Sequence, residues 1–174
     1  MEYNFVLKYQ IDHGADEGDG IAEQLGAGGC EDALLGLGQP GRIALNFCRE
    51  AKSAEKAVLS ALADVKAALP TAVLIEAAPD YVGLSDVADS VGVSRQNLRK
   101  LMLQHHGSFP LPVHEGKAVT WHLSDMLQWL QQQMSYKVSE NELQLAEVNK
   151  QINLAKSLPD LNKDLLKDMK PLIY

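Results

Sequence analysis

The segment GVSRQNLRKLM, residues 92–102, places Arg95, Arg99 and Lys100 within eleven positions and carries no acid. Guanidinium groups pair bidentately with guanine, glutamine amides pair with adenine, and either cation grips phosphate. Drawn on a helix at about 100° per residue, Leu98, Leu101 and Met102 fall on one side. Gln96, Arg99 and Lys100 point the other way, with Arg95 on the flank. Such a helix would be buried along one stripe and would offer cations and an amide to a duplex groove. A solvated amphipathic helix has the same pattern in isolation, so the flanking residues must separate the two readings.

Upstream, Leu84, Val87, Ala88 and Val91 stand at i, i+3, i+4 and i+7 and share a helix face. Ser85 is the expected N-cap. Gly92 can adopt the left-handed conformation that ends one helix, and Ser94 caps the next. Small Ala88 lies where two helices must approach closely, and Val87, Val91, Val93, Leu98 and Leu101 occupy the packing positions. This is the spacing of a helix-turn-helix. Downstream, residues 111–114 and 118–122 are expected to pair as a hairpin, a wing, across Glu115, Gly116 and Lys117. Ser124 is expected to cap a helix that buries Met126, Leu127, Trp129 and Leu130.

With LSDVADSVGVSR, FPLP, Gly116, Trp121 and the final WL in place, residues 82–131 resemble the winged helix-turn-helix of AlpA/excisionase-type proteins, relatives of MerR-like domains. The longer run LIEAAPDYVGLSDVADSVGVSRQNLRKLM also resembles bacterial proteins described only as DNA-binding. The resemblance implies that the second helix enters the major groove and that the wing touches phosphate or the minor groove. Helix contacts then fall on Arg95, Gln96, Arg99 and Lys100, with Ser94 and Asn97 completing the set, and wing contacts fall on His114 and Lys117. Wings of this type are often richer in arginine, and here only Lys117 is firmly cationic.

The chain's net charge of −7 looks hostile to DNA, but residues 1–80 hold 6 Lys and Arg against 13 Asp and Glu, whereas residues 81–133 hold 4 of each. Those distant acids act weakly beyond a Debye length of about 8 Å at physiological salt. Three or four phosphate contacts per protomer give modest affinity at a salt slope of about −0.9 each, so a homodimer on a two-fold operator is expected.

The elements before this module read as a separate unit. In YNFVLKYQI the apolar residues Tyr3, Phe5, Leu7, Tyr9 and Ile11 alternate, as in a half-buried strand. HGADEGDG interrupts as a polar loop; its Asp16, Glu17 and Asp19 lack calcium-loop spacing. A short helix ends in glycines, and two strands flank the turn Gly38-Gln39-Pro40-Gly41, the second burying Ile43, Leu45 and Phe47. Ser53 caps a helix with the stripe Val58, Leu62, Val65 and Leu69, and AVLIEA is a last strand. The order β-α-β-β-α-β predicts an α+β chain with a ferredoxin-like domain over residues 1–78, for sensing or oligomerisation, and AAPDY as a linker. The winged module follows over 82–133, and a C-terminal helix and tail over 139–174. In the helix at 139–156, Leu145, Val148, Ile152 and Ala155 suit either a coiled-coil seam or packing on the same chain.

Cys30 and Cys48 form no CxxC pair and are expected to be buried thiols, with no cofactor. His105, His106, His114 and His122 lie in or near the wing and raise a metal-sensing alternative. No GxSxG, phosphate-binding loop or HExxH motif is present, so an enzyme is not expected. No apolar run reaches the roughly 20 residues of a membrane span, and the N-terminus has no secretory-signal pattern, which makes the cytoplasm the expected location. The reading that fits best is a sequence-specific regulator that binds double-stranded DNA. The rivals are an antitoxin-like or adaptor protein whose acidic first module binds a protein partner or small effector, and an architectural recombination cofactor.

Overall fold

The computed structural model describes residues 1–12 and 18–173, so most of the expected acidic loop lies outside the described residues. The chain is mixed α and β. Strand β1 (Glu2–Gln10) pairs antiparallel with both β3 (Arg42–Glu50) and β4 (Val73–Ala78), and β2 (Ala33–Leu37) pairs with β3, giving the order β2-β3-β1-β4. Helices α1 (Gly18–Ala27) and α2 (Ala54–Ala68) supply the second layer. Alternation decides which side chains enter the core. Tyr3, Phe5, Leu7 and Tyr9 from β1 meet Ile43, Leu45 and Phe47 from β3, and Val58 and Val65 of α2 close over them. Ala54, Ala57 and Ala61 are fully buried beside that stripe, because a helix resting on a sheet needs small residues where the backbones approach. Ser53 caps α2 by accepting from the Lys56 amide at 3.2 Å. Cys30 is buried, but Cys48 is exposed, because its position in β3 puts it on the face opposite Phe47.

Arg49 sits on the inward side of β3 and is only 8% exposed. It donates to Asp32 from Nε and Nη2 at 2.7 and 2.8 Å, to Asp64 and Ser60 from Nη1 at 2.7 and 3.0 Å, and to the Gly29 carbonyl at 3.1 Å. The Arg49 hydrogen bond holds the Asp32 carboxyl below the usual carboxylate range against the opposing effect of burial, and Arg49 itself is pushed up, chiefly by Asp32. Burial raises the Cys30 thiol beside this cluster.

A second core follows. It is built by β5 (Tyr81–Val82), α3 (Leu84–Val91), α4 (Arg95–Gln104), β6 (Trp121–His122) and α5 (Leu123–Met134). Met126, Leu127, Trp129 and Leu130 are all buried, as their spacing predicts. Two helix starts differ from expectation. Helix α3 is capped at Gly83, whose amide donates to Asp86 Oδ2 at 2.7 Å, so Ser85 lies inside the first turn. Helix α5 begins directly after β6, with His122 as N-cap and Ser124 buried.

Helix α6 (Glu140–Ala155) joins the two cores. Leu145, Val148 and Ile152 pack on the first, while Leu143 and Ala146 pack on the second. The apolar stripe that suited a coiled-coil seam is thus used within the chain, and of its residues only Ala155 is exposed. Between the modules, the segment that composition marks as a linker is locked. Asp80 is 1% exposed, its Oδ1 lies 2.7 Å from His122 Nδ1, and its Oδ2 accepts from Asn153 Nδ2 at 2.8 Å. Asn153 also bonds both the amide and the carbonyl of Ala77, and Asn149 donates to the Pro79 carbonyl. A 3-10 turn at Leu158–Asp160 leads to α7 (Lys163–Ile173), which has no buried residue.

Candidate nucleic-acid interface

Helices α3 and α4 are separated by three residues, and the turn is set by Gly92 at φ +71°. The amides of Gly92 and Val93 both return to the Ala88 carbonyl, which closes the end of α3. Glycine takes this left-handed conformation without the strain a Cβ would add. Ser94 then starts α4 by accepting from the Asn97 amide at 3.2 Å. Leu98 is fully buried, and Leu101 and Met102 are partly buried against the second core. One side of α4 is thereby pinned, which fixes where the other side points.

That other side is free. Arg95, Gln96, Arg99 and Lys100 are all exposed, and among the described residues no carboxylate lies within ion-pair distance of the three cations. The acidic first module does not cover them. Asn97 is placed differently from its neighbours. It is half-buried, and its Nδ2 donates to the Tyr136 hydroxyl at 3.0 Å, tying α4 to the chain beyond α5. Its amide is therefore engaged within the protein, and Ser94 acts locally as a cap.

The expected wing is reduced. Residues 111–122 do not form a full hairpin; a single bridge joins His114 to Thr120, with Val113 N donating to Thr120 O at 2.8 Å. Trp121 and His122, expected to extend that hairpin, pair instead with Val82 and Tyr81. The reason lies in the packing: Trp121 is buried, with Phe109 against its edge, and its Nε1 donates to the Pro110 carbonyl at 3.1 Å. The strand must run where that indole is covered. At the tip, His114 and Lys117 are exposed. A Cβ on Gly116 would lie 2.5 Å from His114 Nε2, so the imidazole rests directly over the glycine.

His105, His106, His114 and His122 do not converge on one point. His122 faces Asp80, His105 meets Trp129 edge-on at 5.8 Å, and His106 and His114 are exposed. Among the described residues no three His, Cys, Asp or Glu side chains gather as a metal ion would require. No helix in the described residues is long and apolar enough to cross a membrane.

The sequence reading did not find the Asp80–His122–Asn153 junction. Its one local trace is that Asn149 and Asn153 interrupt the inward face of α6 at i and i+4. That spacing says the two amides share a face, but not what they meet. No protein-family model, curated protein or solved structure matches the chain.

Proposed function

We propose that this protein is a sequence-specific DNA-binding regulator that reads the major groove with α4. The observation that carries the reading is the division of α4 into a buried stripe anchored by Leu98 and an exposed face bearing Arg95, Gln96, Arg99 and Lys100, with no ion pair among the described residues. In this reading α3 and α4 are a helix-turn-helix and the 113–120 bridge is a short wing that brings His114 and Lys117 to the backbone. The strand order β2-β3-β1-β4 supports taking the first module as ferredoxin-like. Arg99 and Gln96 read bases, and Arg95 and Lys100 grip phosphates.

A dimer is part of the proposal, since one protomer offers few phosphate contacts. The α6 stripe is occupied, which leaves the open sheet face and α7 as candidate pairing surfaces. A cleft of about 350 Å³ lies between the modules, lined by Tyr3, Val82, Asp86 and Leu145, and it is the place for a small effector that biases α3. A second reading, an adaptor that binds a protein partner, is favoured by α7, where Leu165, Leu172 and Ile173 are 53%, 82% and 60% exposed.

The test is selection of bound duplexes from a random pool at two salt concentrations. A palindromic product is expected, with affinity falling as salt rises. Absence of any enriched sequence, together with recovery of a stoichiometric protein partner, would favour the adaptor.

A further inference from the structure

The most exposed large apolar side chain among the described residues is Leu111, at 87%. A lone exposed leucine is ordinary on a protein surface. This one differs in how it is held. It stands between Pro110 and Pro112, whose rings fix their own backbone angles, and the second proline confines Leu111 itself to extended conformations. The Pro110 carbonyl is bonded by Trp121 Nε1 at 3.1 Å. Phe109, 8% exposed, sits edge-on between Trp121 and Trp129 with ring centroids 6.2 and 4.9 Å away. The leucine is thus a rigid projection bolted to the second core.

It also stands in a charged setting. Leu111 lines a groove of about 660 Å³ between α4 and the segment 109–121, with Arg95 and Arg99 among the α4 residues and Lys117 among those of the segment. Asp86 and Glu115 line it too, so its cations exceed its carboxylates by one. Among the described residues Arg95, Arg99 and Lys117 have no carboxylate within ion-pair distance. A duplex would neutralise them with phosphates and present base steps to the side chain.

We propose that Leu111 is an apolar wedge that enters a base step of the bound duplex and kinks it; this deepens the DNA-binding reading above and rests on it. Apolar wedges that partly unstack a base step kink DNA by about 20–90°. Preorganisation by the two prolines removes the ordering cost that a flexible loop would carry. Pyrimidine–purine steps unstack most readily, so such a step is expected at a fixed distance from the bases read by α4.

The probe is the duplex enriched by the random-pool selection, labelled at both ends for energy transfer and carrying 2-aminopurine at the candidate step. The full-length protein is compared with Leu111→Ser, Leu111→Met and Arg99→Ala. Leu111 is exposed, so its variants leave the fold intact. Wild type is expected to shorten the end-to-end distance and brighten 2-aminopurine. Leu111→Ser should bind about tenfold more weakly, with the salt slope unchanged, and lose both signals, while Leu111→Met restores them. Arg99→Ala should weaken binding and sequence preference, yet leave the complexes that do form bent. If Leu111→Ser binds and bends as wild type does, or binds less well with the bend intact, the wedge is refuted while DNA binding stands. Loss of a co-purifying protein from Leu111→Ser, with DNA binding and bend unchanged, would refute it in favour of a protein contact. Failure of wild type to bind any duplex would remove the DNA reading and the wedge with it.

Discussion

In the sheet module Arg49 lies between two carboxylates with all of its nitrogens engaged, whereas in the second module Arg95 and Arg99 are exposed, with no partner carboxylate among the described residues. The side chain is the same, but the consequences are opposite. A guanidinium taken out of water must be paired and fully hydrogen-bonded, and once it is, it ties elements together and has nothing left to offer a ligand. Left exposed on a helix whose far side is pinned by Leu98, it contributes little to stability and keeps its full recognition capacity. Arg49 on the one hand and Arg95 and Arg99 on the other therefore divide by burial into structural and candidate functional roles, a division that net charge cannot express. The acids divide the same way: Asp32, Asp64 and Asp80 are committed to internal partners.

The contrast breaks most sharply at Arg49. Replacing it with Met leaves Asp32 and Asp64 without their cation and should cost about 3–5 kcal/mol in urea unfolding. The pH dependence follows from the lowered Asp32 carboxyl. Its contribution is complete above the ordinary aspartate range and is lost as pH falls through the lowered folded-state value. Wild type should lose stability across that acidic window, and Arg49→Met should lose less. An equally steep acid arm in the variant would separate Asp32 from the effect.

Asn153→Leu comes next. It strands the Ala77 amide and carbonyl and one oxygen of Asp80, at about 1–3 kcal/mol for each buried group left unsatisfied. A net loss of about 3 kcal/mol is expected; in calorimetry the wild type should unfold in one transition and the variant in two, as the modules uncouple. A single transition at the wild-type temperature would show that α6 holds the modules without the junction.

Arg99 and Asn97 sharpen the comparison within one helix. Arg99→Ala should cost about 1–3 kcal/mol of specific DNA binding and leave the melting temperature unchanged. Asn97→Ala, which loses the bond to Tyr136, should cost about 1 kcal/mol of stability and leave base preference unchanged. The reverse pattern would exchange their roles. The smallest effect is expected at Lys100, where Ala should weaken binding to all sequences alike and reduce the salt slope by about 1, measured by titration at several ionic strengths.

Much of this is legible in the sequence. Alternation in YNFVLKYQI and RIALNFCRE identified the inward residues of β1 and β3, because a strand's period of two is a property of the backbone alone. The same holds for the stripe of α2, the turn at Gly92, the Ser94 cap and the exposed side of α4, all of which depend on neighbours within a few positions. Tertiary structure decided what each buried face meets. The stripe of α6 had to be covered, but whether by a second copy or by its own sheet depended on where the chain returned. Trp121 and His122 read equally well as part of a wing, and the indole's need for cover against Phe109 sent them to Val82 and Tyr81. Asp80, His122 and Asn153 are separated by 42 and 73 positions, so no local period could bring them together. Local sequence sets which side of an element avoids water, whereas the partner on that side is chosen by the global packing that leaves the fewest buried polar groups unpaired.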